Sequence, residues 1–499
     1  MAASKEAGEG EGVHVLLVVF SAQGHINPML RFGRRLASKG LHVTLATTDV
    51  VRDRMLNSLA SSALSHDTNF RLEFFSDGLS HDFDRKTHMD HFMDCLGKFG
   101  PPNLSKLIND LSPKFSCIIA NPFVPWVADV AIQHGIPCAL LWIQPSTLYA
   151  IYYRFYNNLN PFPSQHDPSL TVHLPGLPPL QPTDLPSFVL PSNPFGSFPK
   201  LLSELFQEHL NKFKWVLGNS FYELEKDVVE SMAELYPIRP VGPLVPSTLL
   251  GLGEGSDSGI DMWKPEDRCI EWLDRMPVSS VVYVSFGSIV VLSTKQMENI
   301  ALALKNSGRP FLWVVKSPDN ADPVPLPTGF LEETEDRGLV VSWCSQTKVL
   351  VHPAVACFMS HCGWNSTLET VAAGVPLIAF PQWTDQPTNA KLIVDVFEMG
   401  LRVEPDEDGM VSQEEVERCI HEITPGPKSE EWKRNAVQWK EAAKMAVADQ
   451  GSSNRNIQIF VDEIVGRHSI SPSMSALSMT TTEKSSTIQS PTFGNLGSC

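Results

Sequence analysis

The strongest constraint on the fold is the apolar run at residues 13–20, VHVLLVVF, which is rich in β-branched residues. Such a continuous run is typical of a strand buried on both faces of a parallel sheet, because a half-exposed strand alternates apolar and polar residues. A polar turn follows, and Pro28 suits the first turn of a helix that we expect to extend to about Ser38. Gly40 ends this helix, and residues 41–46 form the next strand. The pattern predicts a parallel α/β domain.

The same alternation of strands and helices recurs in two separate stretches of the chain. In the first stretch we expect further strands at 117–120, 138–143 and 215–219, and a last extended segment at 238–244. In the second we expect strands at 280–286, 311–315, 339–342, 356–360 and 377–380, with helices continuing to about Val465. A chain of 499 residues is too long for one ordinary core, so the two stretches predict two domains.

The domain boundaries follow from these stretches. We expect an N-terminal domain over 13–245, a linker over 246–265, and a C-terminal domain over 266–466 whose last helix packs back on the first domain. Residues 1–12 and 467–499 are expected to be disordered, because they contain few periodic apolar residues. Residues 158–200 are rich in proline and lack periodicity, which indicates a long ordered loop that forms a lid or the wall of an acceptor pocket.

Composition excludes several classes of function. A formal charge of -17 gives no electrostatic support for binding nucleic acid. The first apolar run is too short to span a membrane and lacks the basic flank of a secretory signal, so we expect no membrane span and a cytoplasmic location. The 9 cysteines are scattered without a CxxC pair, which fits buried free thiols in a reducing compartment.

One strand-to-helix turn is a candidate ligand site. The strand at 356–360 leads into the sequence HCGWNS at 361–366, and a helix follows. Open α/β sheets bind ligands at such turns, where unpaired N–H groups and the helix dipole favour a phosphate oxygen. His361, Asn365 and Ser366 add neutral donors, so an acidic protein can bind a diphosphate here without Lys or Arg.

Polar residues also follow neighbouring strands. The strand at 280–286 ends before Ser288 in a second such turn, which can face the same diphosphate. Asp385 and Gln386 follow the strand at 377–380. An adjacent carboxylate and amide can hold vicinal hydroxyls of a sugar, although each residue alone is better explained as an ordinary helix start.

Two further side chains are candidates for binding a nucleoside. Glu369 lies one turn into the helix that follows the diphosphate turn, where it can bond a ribose diol or simply be a solvated carboxylate. Trp343 ends a strand and offers a flat face for a base, although core packing better explains a single tryptophan.

In this order and spacing, residues 343–386 closely resemble the secondary-product signature of plant family 1 UDP-glycosyltransferases. The signature positions are W at the first place, Q at the fourth, HCGWNS in the middle, E three residues further on, and DQ at the end. Other runs between about Val13 and Val465 also resemble this family, including QGHINP at 23–28, NSFYELE at 219–225 and VVYVSFGS at 281–288.

This resemblance implies a GT-B fold, in which two Rossmann-like parallel α/β domains face each other across a cleft, and an inverting transfer without metal or other cofactor. By the family's pattern, Trp343 stacks on uracil, Gln346 bonds the nucleoside and Glu369 holds the ribose. Donor binding near the diphosphate is assigned to Ser288, His361, Gly363, Trp364, Asn365 and Ser366, and sugar binding to Asp385 and Gln386. A final Gln is usual among glucose users, so UDP-glucose is the expected donor.

The same resemblance assigns the general base to His25, in the loop between the first strand and the first helix. A neutral imidazole with a pKa of about 6.5 suits that task. The family usually places an Asp after the strand at 117–120 to orient the imidazole, but this chain has Asn121. An amide can hold a hydrogen bond, but it cannot offset the charge of an imidazolium.

Asn121 leaves two interpretations open, which are weak activity or an acceptor that scarcely needs deprotonation. A carboxylic acid is such an acceptor, because with a pKa of about 4 to 5 it arrives ionised. The runs FFSDGL, NPFVPW, LWIQ, DLPSF and KWVLGNS also resemble the plant subgroup that acts on indole-3-acetate, benzoates and hydroxycinnamates. We therefore hypothesise that the protein forms 1-O-glucose esters. Gln144 either donates its amide to the acceptor carboxylate or is a structural residue at a strand end.

Two other functions stay open from the sequence. One is an O-glucosyltransferase that acts on hydroxyls of a flavonoid, phenolic or terpenoid. The other is an inactive regulatory protein that binds sugar nucleotides, against which the intact His25, Asp385 and Gln386 argue. The expected partners are a UDP-sugar and a small-molecule acceptor, and we expect the chain to be a monomer.

Overall fold

The computed structural model describes residues 12–60, 69–112, 114–193, 196–251, 268–287, 290–316 and 326–466. Several expectations fall outside these ranges, namely the tail at 467–499, residues 1–11, most of the linker and Ser288. Within the described ranges, no helix combines the length and the apolar character needed to cross a membrane. The described cysteines are free thiols, and all except Cys95 are buried.

The N-terminal domain is built on one sheet of seven strands. These are β1 (His14–Val18), β2 (His42–Thr48), β3 (Phe70–Phe75), β4 (Cys117–Ala120), β5 (Cys138–Trp142), β6 (Trp215–Gly218) and β7 (Arg239–Pro240). They pair in parallel in the order β3-β2-β1-β4-β5-β6-β7. Every residue of β1 is buried, as its continuous apolar run predicts.

Helices cover both faces of this sheet. They are α1 (Gln23–Ser38), α2 (Arg52–Ala60), α3 (Met89–Asp110), α4 (Val127–Gln133), α5 (Ser146–Tyr156), α6 (Ser197–Ser203) and α7 (Lys226–Ser231). Between α5 and α6, the described residues form a single bridge between Val172 and Leu180 and short 3-10 turns at Pro182–Asp184 and Ser187–Val189. The proline-rich region at 158–200 is therefore mostly irregular in structure, as expected.

The C-terminal domain repeats this architecture. Its strands are β8 (Val281–Ser285), β9 (Phe311–Val314), β10 (Gly338–Val341), β11 (Val355–Ser360), β12 (Leu377–Ala379) and β13 (Gly400–Arg402), in the parallel order β10-β9-β8-β11-β12-β13. Its helices are α8 (Arg268–Leu273), α9 (Thr294–Asn306), α10 (Phe330–Glu333), α11 (Gln346–Leu350), α12 (Trp364–Ala373), α13 (Gln386–Lys391), α14 (Gln413–Ile423) and α15 (Ser429–Val447). Two parallel α/β domains are the fold class that the sequence predicts.

The last described helix, α16 (Ser452–Val465), belongs to the core of the first domain. Ile457, Phe460 and Val461 lie in the same apolar cluster as the strand β1 and the helix α1. The ring of Phe460 contacts the ring of Trp215 with centroids 5.2 Å apart. The last described helix therefore packs on the first domain.

The first helix begins earlier than the sequence predicts, at Gln23 and not at Pro28. Pro28 lacks an N–H group, so the carbonyl of Gly24 one turn earlier has no helical partner. That carbonyl accepts a hydrogen bond from Nδ2 of Asn365 in the other domain, at 2.8 Å. Because an external donor satisfies the carbonyl, the helix accommodates the proline in its interior. His25 consequently lies in the first turn of α1 and not in the preceding loop.

The expected strands omit β3 and β13, which both lie at sheet edges. Most of β3 is only partly buried, and its sequence FRLEFF includes two charged residues. β13 has three residues, which is too few for a recognisable period. Edge strands have one unpaired side and bury less surface, so their apolar patterns are weaker than those of central strands.

Candidate active site

The catalytic candidates follow three neighbouring strands of the first sheet, β1, β4 and β5. His25 lies in α1 after β1, Asn121 directly follows β4, and Gln144 follows β5. The carboxyl ends of parallel strands meet at one edge of a sheet, where α/β proteins bind their ligands. Gln144 is half-buried, and no hydrogen bond of its amide occurs within the described residues.

The imidazole of His25 is oriented by Asn121. Nδ1 of His25 lies 3.0 Å from Oδ1 of Asn121, and the same oxygen accepts a hydrogen bond from the backbone N–H of Phe123 at 3.1 Å. The bond from Phe123 identifies this atom of the amide as the oxygen, and an oxygen can only accept. Nδ1 therefore carries the proton, and Nε2 presents a free lone pair.

The surroundings of His25 are apolar and aromatic. Its ring lies edge-on to Phe123 with centroids 4.4 Å apart, and 5.2 Å from the ring of Phe20. Burial lowers the pKa of His25 to about 4, and the hydrogen bond to Asn121 opposes this shift. Asn121 itself is fully buried, and its Nδ2 has no hydrogen-bond partner within the described ranges. His25 is therefore a neutral group at physiological pH.

Three residues assigned to the nucleoside and phosphate are joined in one network. Nε2 of Gln346 donates to Oγ of Ser366 at 2.9 Å and to Oε2 of Glu369 at 2.8 Å. Arg31 of α1 approaches the other oxygen of Glu369 at 3.8 Å, and both side chains are largely buried. Trp343 is half-buried just after β10. The structure thus brings together residues of α11 and α12 in the second domain with Arg31 of the first domain.

His361 is held between two glycines. A Cβ atom on Gly287 would lie 2.7 Å from Cε1 of His361, and one on Gly363 would lie 2.5 Å from its Nε2. Burial lowers the pKa of His361 to about 4, so the ring is neutral at physiological pH. Its Nδ1 is buried without a hydrogen-bond partner in the described part of the chain. This ring sits at the N-terminus of α12, where an anion is favoured.

Two residues of the same turn direct their side chains away from it. The indole of Trp364 is buried in the core and donates to the carbonyl of Asn219 at 2.7 Å. The amide of Asn365 donates to the carbonyl of Gly24. Both bonds link the two domains, so these side chains join the donor turn to the first domain. Their assignment to donor binding stays a prediction.

The two residues assigned to the sugar lie where the loop after β12 ends, with Asp385 at the N-cap of α13 and Gln386 as its first residue. The carboxylate of Asp385 accepts hydrogen bonds from Oγ1 of Thr384 at 2.8 Å and from Nδ2 of Asn389 at 2.9 Å, and burial raises its pKa. Oε1 of Gln386 accepts from the backbone N–H groups of Gln382 and Trp383, at 2.9 and 3.2 Å. Within the described residues Nε2 of Gln386 makes no hydrogen bond, and its role toward the sugar stays a prediction.

Sequence reasoning missed Arg31, Phe123 and the contact between Ser187 and Thr384. The sequence does give an indication for Arg31, which lies among apolar residues in the helix sequence PMLRFGRRL. It is buried in the structure, and a buried arginine needs a partner. Phe123 lies two residues after Asn121 and has no distinguishing pattern. The contact between Ser187 and Thr384 joins residues from different domains, and nothing local marks it.

The chain is similar to known proteins over most of its length. A family model described as UDP-glucoronosyl and UDP-glucosyl transferase matches residues 265–474. UDP-glycosyltransferase 84B1 of Arabidopsis thaliana is 47% identical over 464 residues, which are 92% of this chain and 99% of that protein. Cinnamate beta-D-glucosyltransferase of Fragaria ananassa is 42% identical over 463 residues, which are 91% of this chain and 82% of that protein.

A solved structure shares the fold. The crystal structure of Os79 from O. sativa in complex with UDP aligns with a TM-score of 0.79 at 34% identity, over 90% of this chain and 100% of that chain. This match confirms the GT-B arrangement of two parallel α/β domains. The roles of individual residues toward the donor stay predictions.

Proposed function

The chain belongs to the UDP-glycosyltransferase family, and we propose that it transfers glucose from UDP-glucose to the carboxylate of a small acid, such as indole-3-acetate, a benzoate or a hydroxycinnamate. The product is a 1-O-glucose ester. The observation that carries this proposal is the amide of Asn121 at 3.0 Å from His25, where the family usually has a carboxylate. A base without a charged partner suits an acceptor that needs little deprotonation.

Acid–base matching supports this choice of acceptor. His25 has a pKa of about 4, because it is buried and the hydrogen bond to neutral Asn121 offsets only part of that shift. A phenol with a pKa of about 10 lies far above such a base, and general base catalysis is then weak. A carboxylic acid with a pKa of about 4 to 5 lies close to it. If the acid enters protonated, Nε2 of His25 takes the proton, and if it enters ionised, no proton transfer is needed.

The chemical step is a displacement at the anomeric carbon. A carboxylate oxygen of the acceptor forms a bond to C1 of glucose as the bond from C1 to the diphosphate oxygen breaks. The negative charge of the carboxylate thereby passes to the departing UDP. We propose that neutral groups stabilise this charge without a metal ion, namely the N-terminus of α12, Ser366 and the imidazole of His361.

The chemistry of one relative supports an acid acceptor. The protein of Fragaria ananassa that is 42% identical to this chain is named as a cinnamate glucosyltransferase. Cinnamate has no hydroxyl group, so its carboxylate is the only oxygen that can receive glucose. An acid acceptor is therefore compatible with this framework of residues.

An acceptor screen tests the proposal. Purified protein is incubated with UDP-glucose and indole-3-acetate, cinnamate or a flavonol, and the products are measured by mass spectrometry before and after mild alkali. We expect glucosides of the two acids that alkali cleaves, as esters are cleaved. The variant His25→Asn and a reaction without acceptor are the controls. Products that form mainly from the flavonol and resist alkali would establish a hydroxyl-directed enzyme instead.

A further inference from the structure

The loop that carries Asp385 and Gln386 contains a strained residue. Thr384 has a φ of 60°, in the left-handed region that β-branched residues rarely adopt. Its side chain donates to Oδ1 of Asp385 at 2.8 Å, so the conformation of Thr384, together with Asn389 on Oδ2, sets where that carboxylate lies. A strained conformation persists only where surrounding contacts hold it.

Those contacts come from the other domain. The backbone N–H of Ser187 donates to the carbonyl of Thr384 at 2.9 Å, and the N–H of Thr384 donates to Oγ of Ser187 at 2.9 Å. Both backbone polar groups of Thr384 are thus bonded to one residue of the first domain. This reciprocal pair fixes the position and the orientation of the loop.

Ser187 belongs to a segment that we call the strap, residues 182–189. The carboxylate of Asp184 in the strap accepts from Arg402 at 2.9 Å and lies 3.5 Å from Lys391. The backbone carbonyl of Asp184 accepts from Oγ1 of Thr388 at 2.7 Å. The strap is therefore anchored to the C-terminal domain next to the loop, by charge and by hydrogen bonds.

The strap also connects to the surroundings of the base. Phe188, next to Ser187, stacks on Phe198 with centroids 5.5 Å apart. Phe198 packs 5.7 Å from Phe123, whose ring contacts His25. The strap therefore contacts Thr384 directly and is linked to His25 through the rings of Phe198 and Phe123.

We propose that Ser187 is a positioning residue for the donor sugar, because it holds Thr384 and thereby places Asp385 and Gln386. This inference rests on the proposed function, in which those two residues bind the glucose of UDP-glucose. The nucleoside candidates are held by other contacts, because Gln346 donates to Glu369 and Glu369 lies 3.8 Å from Arg31 of α1. Loss of the Ser187 hydroxyl is therefore expected to weaken recognition of the sugar and not of UDP.

The test is the variant Ser187→Ala, which removes the acceptor of the Thr384 N–H and keeps the backbone bond. We expect KM for UDP-glucose to rise about fivefold, as for the loss of one neutral hydrogen bond. The ratio of kcat/KM for UDP-glucose over UDP-galactose should fall, while the Kd for UDP measured by calorimetry stays within about twofold. Ser187→Thr retains the hydroxyl and should behave as the parent protein.

Two further variants separate positioning from general damage. Ser203→Ala removes a hydroxyl that bonds to exposed Gln207 in the same domain, and it should change neither KM nor Kd. Thr384→Gly removes the hydroxyl that donates to Asp385, so it should lower the same discrimination with Ser187 intact and leave the Kd for UDP unchanged. Equal losses for UDP and UDP-glucose, or no loss in either, would overturn the role of Ser187. Failure of the proposed function would appear differently, as absence of ester formation by the parent protein.

Discussion

At the scale of single residues, the pairing of His25 with an amide determines the charge of the base. The bond to Oδ1 of Asn121 places the proton on Nδ1 of His25, and burial against Phe20 and Phe123 disfavours a second proton. A carboxylate at the same position would stabilise the imidazolium. The identity of residue 121 therefore determines both the basicity of His25 and the acceptors that suit it.

The variant Asn121→Asp tests this relation. With a pKa of about 4, His25 stays unprotonated down to about pH 5, so activity should fall only below that pH. A carboxylate at 121 favours the protonated ring and should raise the pKa by roughly one to three units, so the acid limb moves to higher pH. The measurement is kcat/KM against pH with a phenolic acceptor, whose own titration lies far from this range.

The same variant should change acceptor preference. Activity toward the phenol should rise relative to activity toward cinnamate, because the stronger base helps the phenol and the added charge repels the acid. The control is His25→Asn, made both in the parent protein and in Asn121→Asp. It should remove the dependence of activity on pH at the acid side. A uniform change for both acceptors, with an unmoved acid limb, would contradict the role assigned to Asn121.

At the scale of elements, two strand-to-helix turns of the second sheet enclose His361. β8 and β11 are neighbours, and the turns that follow them bring both Gly287 and Gly363 close to Nε2 and Cε1 of the imidazole. The ring fits because neither residue has a Cβ atom. Close packing of the two turns thus orients the neutral donor at the N-terminus of α12.

We predict that Gly363→Ala weakens UDP binding without unfolding the protein. Gly363 has a φ of -60°, which alanine tolerates, so the effect comes from a Cβ placed 2.5 Å from Nε2 of His361. The Kd for UDP should rise roughly tenfold, as expected for the loss of one or two hydrogen bonds. Gly97→Ala is the matched control, since its Cβ meets open space on α3, and it should bind UDP normally. Equal Kd values for the two variants would show that His361 is not held by these glycines.

At the scale of the whole molecule, the chain is tied together by elements that belong to one domain and pack on the other. α16 follows the second domain in sequence but packs into the core of the first. Its Glu463 accepts a hydrogen bond from the indole of Trp215 at 2.6 Å and pairs with Arg239. The strap makes the opposite connection, from the first domain to the second. The contacts of α16 and of the strap therefore hold the two domains together.

The core role of α16 predicts a large loss of stability in Phe460→Ala. Phe460 is fully buried against Phe32 and Trp215, and removing such a ring costs about 3–5 kcal/mol. The adjacent Ile459 is 42% exposed, so Ile459→Ala should cost less than about 1 kcal/mol. Urea unfolding followed by tryptophan fluorescence distinguishes the two. Similar midpoints for both variants would mean that α16 adds little to the first domain.

The sequence predicts the fold class, which the structure confirms, and it proposes most of the residues of the donor site. Central strands such as β1 and β11 are recognisable because burial on both faces requires unbroken apolar runs. The donor turn is recognisable because strand, turn and helix follow one another, with Gly374 as the αL cap of α12. Such features can be recognised in the sequence because they depend on residues that are adjacent in the chain.

The contacts between the two domains become visible in the folded structure and not in the sequence. The start of α1 depends on Asn365, which satisfies the Gly24 carbonyl that Pro28 leaves without a partner. The strained Thr384 depends on Ser187 in the other domain. Polar contacts between loops that are distant in the chain need one donor and one acceptor each, and they require no periodic pattern in the sequence. Their partners are therefore set by the packing of the domains and not by any segment alone.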